Sequence, residues 1–130
     1  MYIAIDYGTK NIGIALSDKK GIIAKSYSII KNDNNFRNYL YNLCNKHKVR
    51  KIIVGVPLDI DGNDTKLSSK IRVEFLFLEN DFDVIYWNET LSSKEAENIL
   101  RLKGKKRGKV DDIAAQIILQ EYLNFLNDEN

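Results

Sequence analysis

A chain of 130 residues, 44% hydrophobic and 29% charged, has enough apolar material for one filled core and too little length for two lobes around a cleft. One cysteine and one histidine argue against an intrachain disulfide, a Cys/His zinc site and a Ser/His/Asp triad, and the net charge of +2 is mild. No apolar run approaches membrane-spanning length and residues 1–5 enter a strand at once, so the expectation is a cytosolic, single-domain protein (1–130) without transmembrane segment or signal peptide, whose chemistry rests on carboxylates.

Residues 2–5 (YIAI) form a short apolar strand that ends on Asp6, and residues 7–11 (YGTKN) turn the chain into a returning strand over 12–16. Asp6 could bind a metal ion, while the Gly8 backbone, the Thr9 hydroxyl and the Lys10 ammonium could receive phosphate oxygens; the alternative is an ordinary hairpin with Asp at its turn. Residues 18–21 make a second turn, and 22–30 read as a third strand closing an antiparallel meander. Helix-start residues at 32–35 precede Phe36, Leu40, Leu43 and Cys44 at helical spacing, which predicts three to four turns before Val49. Cys44 reads as a buried thiol, and His47, between Lys46 and Lys48, as a solvated surface side chain.

Residues 51–56 (KIIVGV) have the continuous apolar character of a central strand covered on both faces. The following loop carries Asp59, Asp61 and Asp64, either a mobile cover or an additional metal contact. Leu67, Ile71, Phe75 and Leu78 mark the next helix, residues 83–87 a further strand, and Asn88-Glu89-Thr90 its exit. Ser92 and Glu95 have capping-box spacing ahead of Ala96, Ile99 and Leu100 in a short helix. A glycine-containing loop then holds Lys103, Lys105, Lys106, Arg107 and Lys109, suited to following a phosphate backbone or simply solvated. Asp111 and Asp112 open the last helix, whose apolar positions are Ile113, Ala114, Ile117, Ile118, Tyr122 and Phe125.

A meander followed by two strand-helix units predicts an α/β fold, a mixed five-stranded sheet of order 3-2-1-4-5 flanked by helices. The first, fourth and fifth strands are then parallel, so Asp6, the loop after Val56 and Glu89 emerge at one edge, where open α/β sheets bind ligands. Gly55 adds no side chain there and leaves room between Asp6 and Glu89. Asp111 would swing in as a third ligand, and an all-oxygen set favours Mg²⁺ or Mn²⁺ over zinc. Tyr7, Tyr86 and Trp87 near the edge are either base-stacking platforms or wall residues.

Four motifs in order carry a resemblance: residues 6–15 (DYGTKNIGIA), 55–58 (GVPL) with Asp61-Gly62, 88–93 (NETLSS) with Glu95-Ala96, and 109–111 (KVD) with Ala114-Ala115 and Ile118-Leu119. Over essentially its whole length the chain resembles the YqgF-type proteins of the ribonuclease H-like superfamily, described as Holliday junction resolvases or as nucleases that process the 5′ end of precursor 16S ribosomal RNA. The resemblance implies an acidic metal site on Asp6, Glu89 and Asp111, with Asp112 as substitute or assistant, and hydrolysis leaving a 5′ phosphate and a 3′ hydroxyl. Thr9, Lys10 and the cations at Lys103, Lys105, Lys106, Arg107 and Lys109 would position the backbone. The family's third motif usually reads Asp-Glu-Arg; Thr90 replaces that arginine here, which bears on substrate grip.

The expected partner is structured RNA, with branched DNA as the alternative, in a monomer or weak homodimer that works beside a ribosomal or transcription-associated protein. A non-catalytic RNA-binding module is the reading from another class, and nucleotide binding at the DYGT turn, as in actin-like kinases, would need a second lobe.

Overall fold

The computed structural model describes residues 1–89 and 110–128, with the backbone alone for residues 110–112. β1 (Tyr2–Tyr7) alternates Ile3, Ile5 and Tyr7 with Ala4 and Asp6, so its two faces differ in size and polarity. β2 (Asn11–Ser17) returns antiparallel to it with Asp6 opposite Gly13, and β3 (Ala24–Lys31) completes the meander through a bulge at Ile14/Ala15. β4 (Lys51–Val56) and β5 (Asp83–Asn88) join parallel, giving the order β3-β2-β1-β4-β5 that the sequence predicts.

Large side chains cover one face. Ile3, Ile5, Ile12, Ile14, Ile52, Val54 and Val56 pack there against α1 (Phe36–Lys46), α2 (Lys66–Glu74) and α3 (Leu76–Glu79), through Phe36, Leu40, Leu43, Ile71, Phe75 and Leu78. Small residues line the other face, where Ala4, Ala15, Ala24 and Ile53 meet Ala115, Ile118, Leu119, Tyr122 and Leu123 of α4 (Val110–Asp128). An alanine-lined face lets α4 sit close to the sheet. Gln116 bonds Ser26 and the Ala24 carbonyl, Gln120 the Ile22 carbonyl and Asn127 the Gly21 carbonyl, so α4 starts towards the Asp6 edge and runs away from it.

Several elements depart from expectation for local reasons. β3 starts at Ala24 because the Asp18 carboxylate accepts the Ile22 and Ile23 N–H groups at 2.8 and 3.1 Å, holding both residues in the turn. Those two bonds also hold the Asp18 carboxyl below its ordinary value. The helix over Leu67–Leu78 is interrupted at Phe75, and Leu67 is exposed. Ser68 is buried in its place through a reciprocal capping box with Thr65. Phe125 is partly exposed, while Leu119 and Leu123 are fully buried. His47 is half-buried rather than solvated, with its ring edge-to-face on Tyr27 at 5.7 Å. Cys44 is buried as expected, and burial pushes its thiol up to about 12. The short helix predicted from Ser92 to Leu100 lies outside the described residues. Among the described residues, no helix is long and apolar enough to cross a membrane.

Candidate active site

Asp6 lies on the α4 face of β1, one residue beyond the last β1–β4 pair, Ile5 with Val54. Its lateral neighbour on β2 is Gly13, and the next residue of β4 is Gly55, so glycines flank the carboxylate on both sides. Glu89 follows β5 and is held against the end of β4 by its N–H, which donates to the Val56 carbonyl at 3.0 Å. The Glu89 side chain folds back over Gly55: a Cβ placed on that glycine would stand 2.9 Å from Glu89 Oε2 and 2.6 Å from Ile118 Cδ1. Gly55 is therefore the floor of the site. Any larger residue there would displace the carboxylate or the α4 side chain beneath it.

Glu89 reaches Asp6 and shares a hydrogen bond with it. Burial, the Asp6 charge and this bond push the Glu89 carboxyl up to about 8. Two carboxyl groups sharing one proton form a poor resting arrangement and a good cation site, because a divalent ion between them removes the repulsion. Hard oxygen donors suit Mg²⁺ or Mn²⁺. Among the described residues no cluster of three metal-ligating side chains forms. The backbone of Asp111 and Asp112 is in the first turn of α4, seven and six residues before Ile118, which corresponds to roughly 10 Å of helix towards the Asp6 edge.

The turn after Asp6 is tight. A Cβ on Gly8 would meet the Asn11 carbonyl oxygen at 2.5 Å, so only glycine closes it. Asn32, absent from the sequence-derived site, locks this turn by donating from Nδ2 to the Gly8 carbonyl at 2.8 Å and from its N–H to the Lys10 carbonyl at 2.9 Å. Thr9 and Lys10 are exposed at the tip. Thr90 and the cations Lys103, Lys105, Lys106, Arg107 and Lys109 lie outside the described residues.

The acidic loop after β4 is an internally bonded structure. Asp59 Oδ1 accepts the Asp61 and Asn63 N–H groups at 2.9 and 2.8 Å, and Asp64 Oδ1 accepts from Ser68 Oγ at 2.9 Å and Arg72 Nε at 3.0 Å. The three edge aromatics are wall residues. Tyr7 packs edge-on to Phe36 and Phe75, Tyr86 lies 4.5 Å under the Arg72 guanidinium, and Trp87 contacts Tyr122 and donates to Glu121. Gly13 is a flank of Asp6 that the sequence-derived site lacks, although counting back across the hairpin from Tyr7 and Ile12 pairs the two residues.

Residues 1–125 match the family model described as "RuvX: Holliday junction resolvase". The chain belongs to this family. A "Putative pre-16S rRNA nuclease" of Halothermothrix orenii is 38% identical across 96% of this chain and 95% of its own length. Proteins of the same name from Syntrophus aciditrophicus and Koribacter versatilis are 38% and 36% identical, covering 98% and 93% of this chain and 90% and 84% of their own lengths. The fold is ribonuclease H-like. The fowlpox virus Holliday junction resolvase superposes with a TM-score of 0.56 at 18% identity, covering 95% of this chain and 98% of its own. Thermus thermophilus RuvC, solved with a Holliday junction substrate, gives 0.56 at 12% identity, covering 98% and 96%.

Proposed function

We propose that this chain is a metal-dependent endonuclease that hydrolyses phosphodiester bonds of structured RNA, processing the 5′ end of pre-16S rRNA as one unit over residues 1–130. The observation that carries the reading is the Asp6–Glu89 carboxyl pair over the Gly55 floor, with Glu89 pushed up to about 8. RNA is favoured over junction DNA because relatives at 36–38% identity bear the RNA nuclease name, whereas the solved DNA resolvases are 12–18% identical and share the fold; the family model's own description, Holliday junction resolvase, makes junction DNA the second reading.

Asp6 and Glu89 would hold the metal through carboxylate oxygens, and Asp111, with Asp112 as substitute, would complete the set from the first turn of α4. A bound Mg²⁺ or Mn²⁺ supplies Lewis acidity to the phosphoryl group and lowers the pKa of the attacking water. Glu89 would have to be deprotonated to hold the ion, which would make binding pH-dependent. Gly8 closes the turn on which the Thr9 hydroxyl and Lys10 ammonium meet non-bridging oxygens. These contacts, with Lys103, Lys105, Lys106, Arg107 and Lys109, position the backbone without reading bases.

The test is cleavage of a labelled pre-16S leader RNA beside a four-way DNA junction in Mg²⁺, Mn²⁺ or EDTA, by wild type, Asp6→Asn and Glu89→Gln. The expected result is metal-dependent RNA cutting with 5′-phosphate products, reduced at least about a thousandfold by either substitution. Symmetric nicking of the junction in preference to RNA would replace this reading with resolution. RNA binding indifferent to metal and to Asp6, without cutting, would replace it with a binding module.

A further inference from the structure

β3 is an outer strand of the sheet, and its outward edge is closed at one end and open at the other. At the start of the strand, α4 closes it. Gln120 accepts the Ala24 N–H at Oε1 and donates from Nε2 to the Ile22 carbonyl, both at 2.9 Å, in place of the two bonds a neighbouring strand would make. Gln116 donates to the Ala24 carbonyl and accepts from Ser26 Oγ. Towards the end of the strand the edge is open. The Asn32 N–H donates to the Lys10 carbonyl, so by alternation Ile30 and Ser28 face β2, while Ile29 and Lys31 turn their N–H groups away from it. Among the described residues, no group bonds these two donors or the Ile29 carbonyl. Such an edge is a template for an extended chain.

The surroundings of the open half give the chemistry of the added chain. Tyr27 and Ile29 are 43% and 44% exposed and stand on opposite faces. Tyr27 meets His47, at the end of α1, whereas Ile29 pairs with Gly13 on the face that carries Asp6. A shallow cavity of about 160 Å³ opens between the end of β3 and α1, with Ile30, Phe36 and Tyr39 as its apolar walls. Alternate side chains of an added strand therefore find apolar surface on both faces and a recess of about one side chain's size on one of them. β3 carries Lys25 and Lys31 and no acid, and Lys46 and Lys48 flank His47. The acid of the cavity lining, Asp33, accepts the Asn35 N–H at 2.9 Å. These lysines oppose pairing with a second copy of β3, which brings the same charges, and favour a strand that bears acids.

We propose that the open half of the β3 edge, Tyr27 to Lys31, docks an extended acidic segment of a partner protein by strand addition. The proposal is independent of the nuclease reading. The probe is a fluorescein-labelled eight-residue peptide of alternating glutamate and leucine, titrated into the full chain. Its controls are the lysine–leucine counterpart and a glutamate–leucine peptide N-methylated throughout. The glutamate–leucine peptide is expected to bind at least about fivefold more tightly than either control and to slow amide exchange at Ile29 and Lys31 at least about tenfold. Ile29→Pro removes an outward N–H and leaves the β2 ladder intact, so it should weaken binding about fivefold. Lys31→Glu should bring the two charged peptides closer in affinity. Absence of binding, equal binding of the glutamate and lysine peptides, binding indifferent to N-methylation, or protection centred away from β3 overturns the proposal without using any variant. Slow exchange at Ile29 in the free chain that is lost on dilution overturns it as well, and gives the edge to a second copy.

Discussion

Two acidic groups beyond the carboxyl ends of the parallel strands are held in opposite ways. Asp64, after β4, accepts from Arg72 and Ser68, and these bonds hold its carboxyl below the ordinary range. Glu89, after β5, is half-buried beside a second carboxyl, Asp6, and its carboxyl is pushed up to about 8. Asp64 is balanced by its own chain and stabilises a loop. Glu89 and Asp6 are two carboxyl groups held against each other, a repulsion that a cation between them would relieve.

The sharpest way to break this comparison is to neutralise one member of each group. Asp6→Asn should lower RNA cleavage at least about a thousandfold, whereas Asp64→Asn should leave it within about threefold. Comparable losses from both, measured as single-turnover rates, would place the β4 loop in the catalytic machinery and end the distinction.

The next effect is one of pH. The Glu89 carboxyl moves from 4.5 to about 8 on folding, so the metal-free fold binds its proton more tightly than the unfolded chain. Its contribution is fully present below about 4.5 and is lost as pH rises through about 8, a difference on the order of 2–4 kcal/mol after allowance for solvent near the pair. Melting in EDTA from pH 5 to 9 should therefore show wild type losing stability relative to Glu89→Gln, and Mg²⁺ should restore it at the alkaline end. Parallel curves for the two proteins, with no response to Mg²⁺, would remove the electrostatic basis of the site.

Much of this arrangement is legible in the sequence, and the parts that are not have a common cause. Apolar alternation and turn residues are local signals, so the strand order and the shared edge of Asp6 and Glu89 follow from them. Which acidic residues are satisfied is a matter of three-dimensional partners. Asp64 differs from Glu89 because Arg72 stands one helical turn beyond Ser68, and the loop alternatives for Asp59 and Asp64 cannot be separated before those bonds are seen. Leu67 illustrates the same limit. Its spacing from Ile71 fits a stripe, but the Thr65–Ser68 capping box turns Ser68 inward and Leu67 outward.

Gly55→Ala tests the geometry of the pair without touching its charges. The added methyl would stand 2.9 Å from Glu89 Oε2 and 2.6 Å from Ile118 Cδ1; Ile118 is fully buried and the Glu89 backbone is bonded to Val56, so the carboxylate end of the Glu89 side chain has to give way. Displacement of the carboxylate by a fraction of an ångström to an ångström should lower kcat about 10- to 100-fold with little change in RNA affinity. Loss of affinity with kcat intact would mean that Gly55 serves the approach of substrate and not the placement of Glu89.

The smallest effect is expected on the self-balanced side. Ser68 is fully buried; its Oγ accepts the Thr65 N–H at 2.7 Å and donates towards Asp64 Oδ1 at 2.9 Å, while its own N–H donates to Thr65 Oγ1 at 3.1 Å. Ser68→Ala removes the Oγ and leaves the Thr65 N–H without its acceptor, a cost of about 1–2 kcal/mol in chemical denaturation. It also takes a donor from Asp64, whose carboxyl should rise towards the ordinary value while Arg72 still holds it down. Cleavage should stay within about twofold, because none of these bonds reaches Asp6 or Glu89. A loss as large as that of Gly55→Ala would show that the loop after β4 transmits its shape to the carboxyl pair, and the two acidic groups would then be one device.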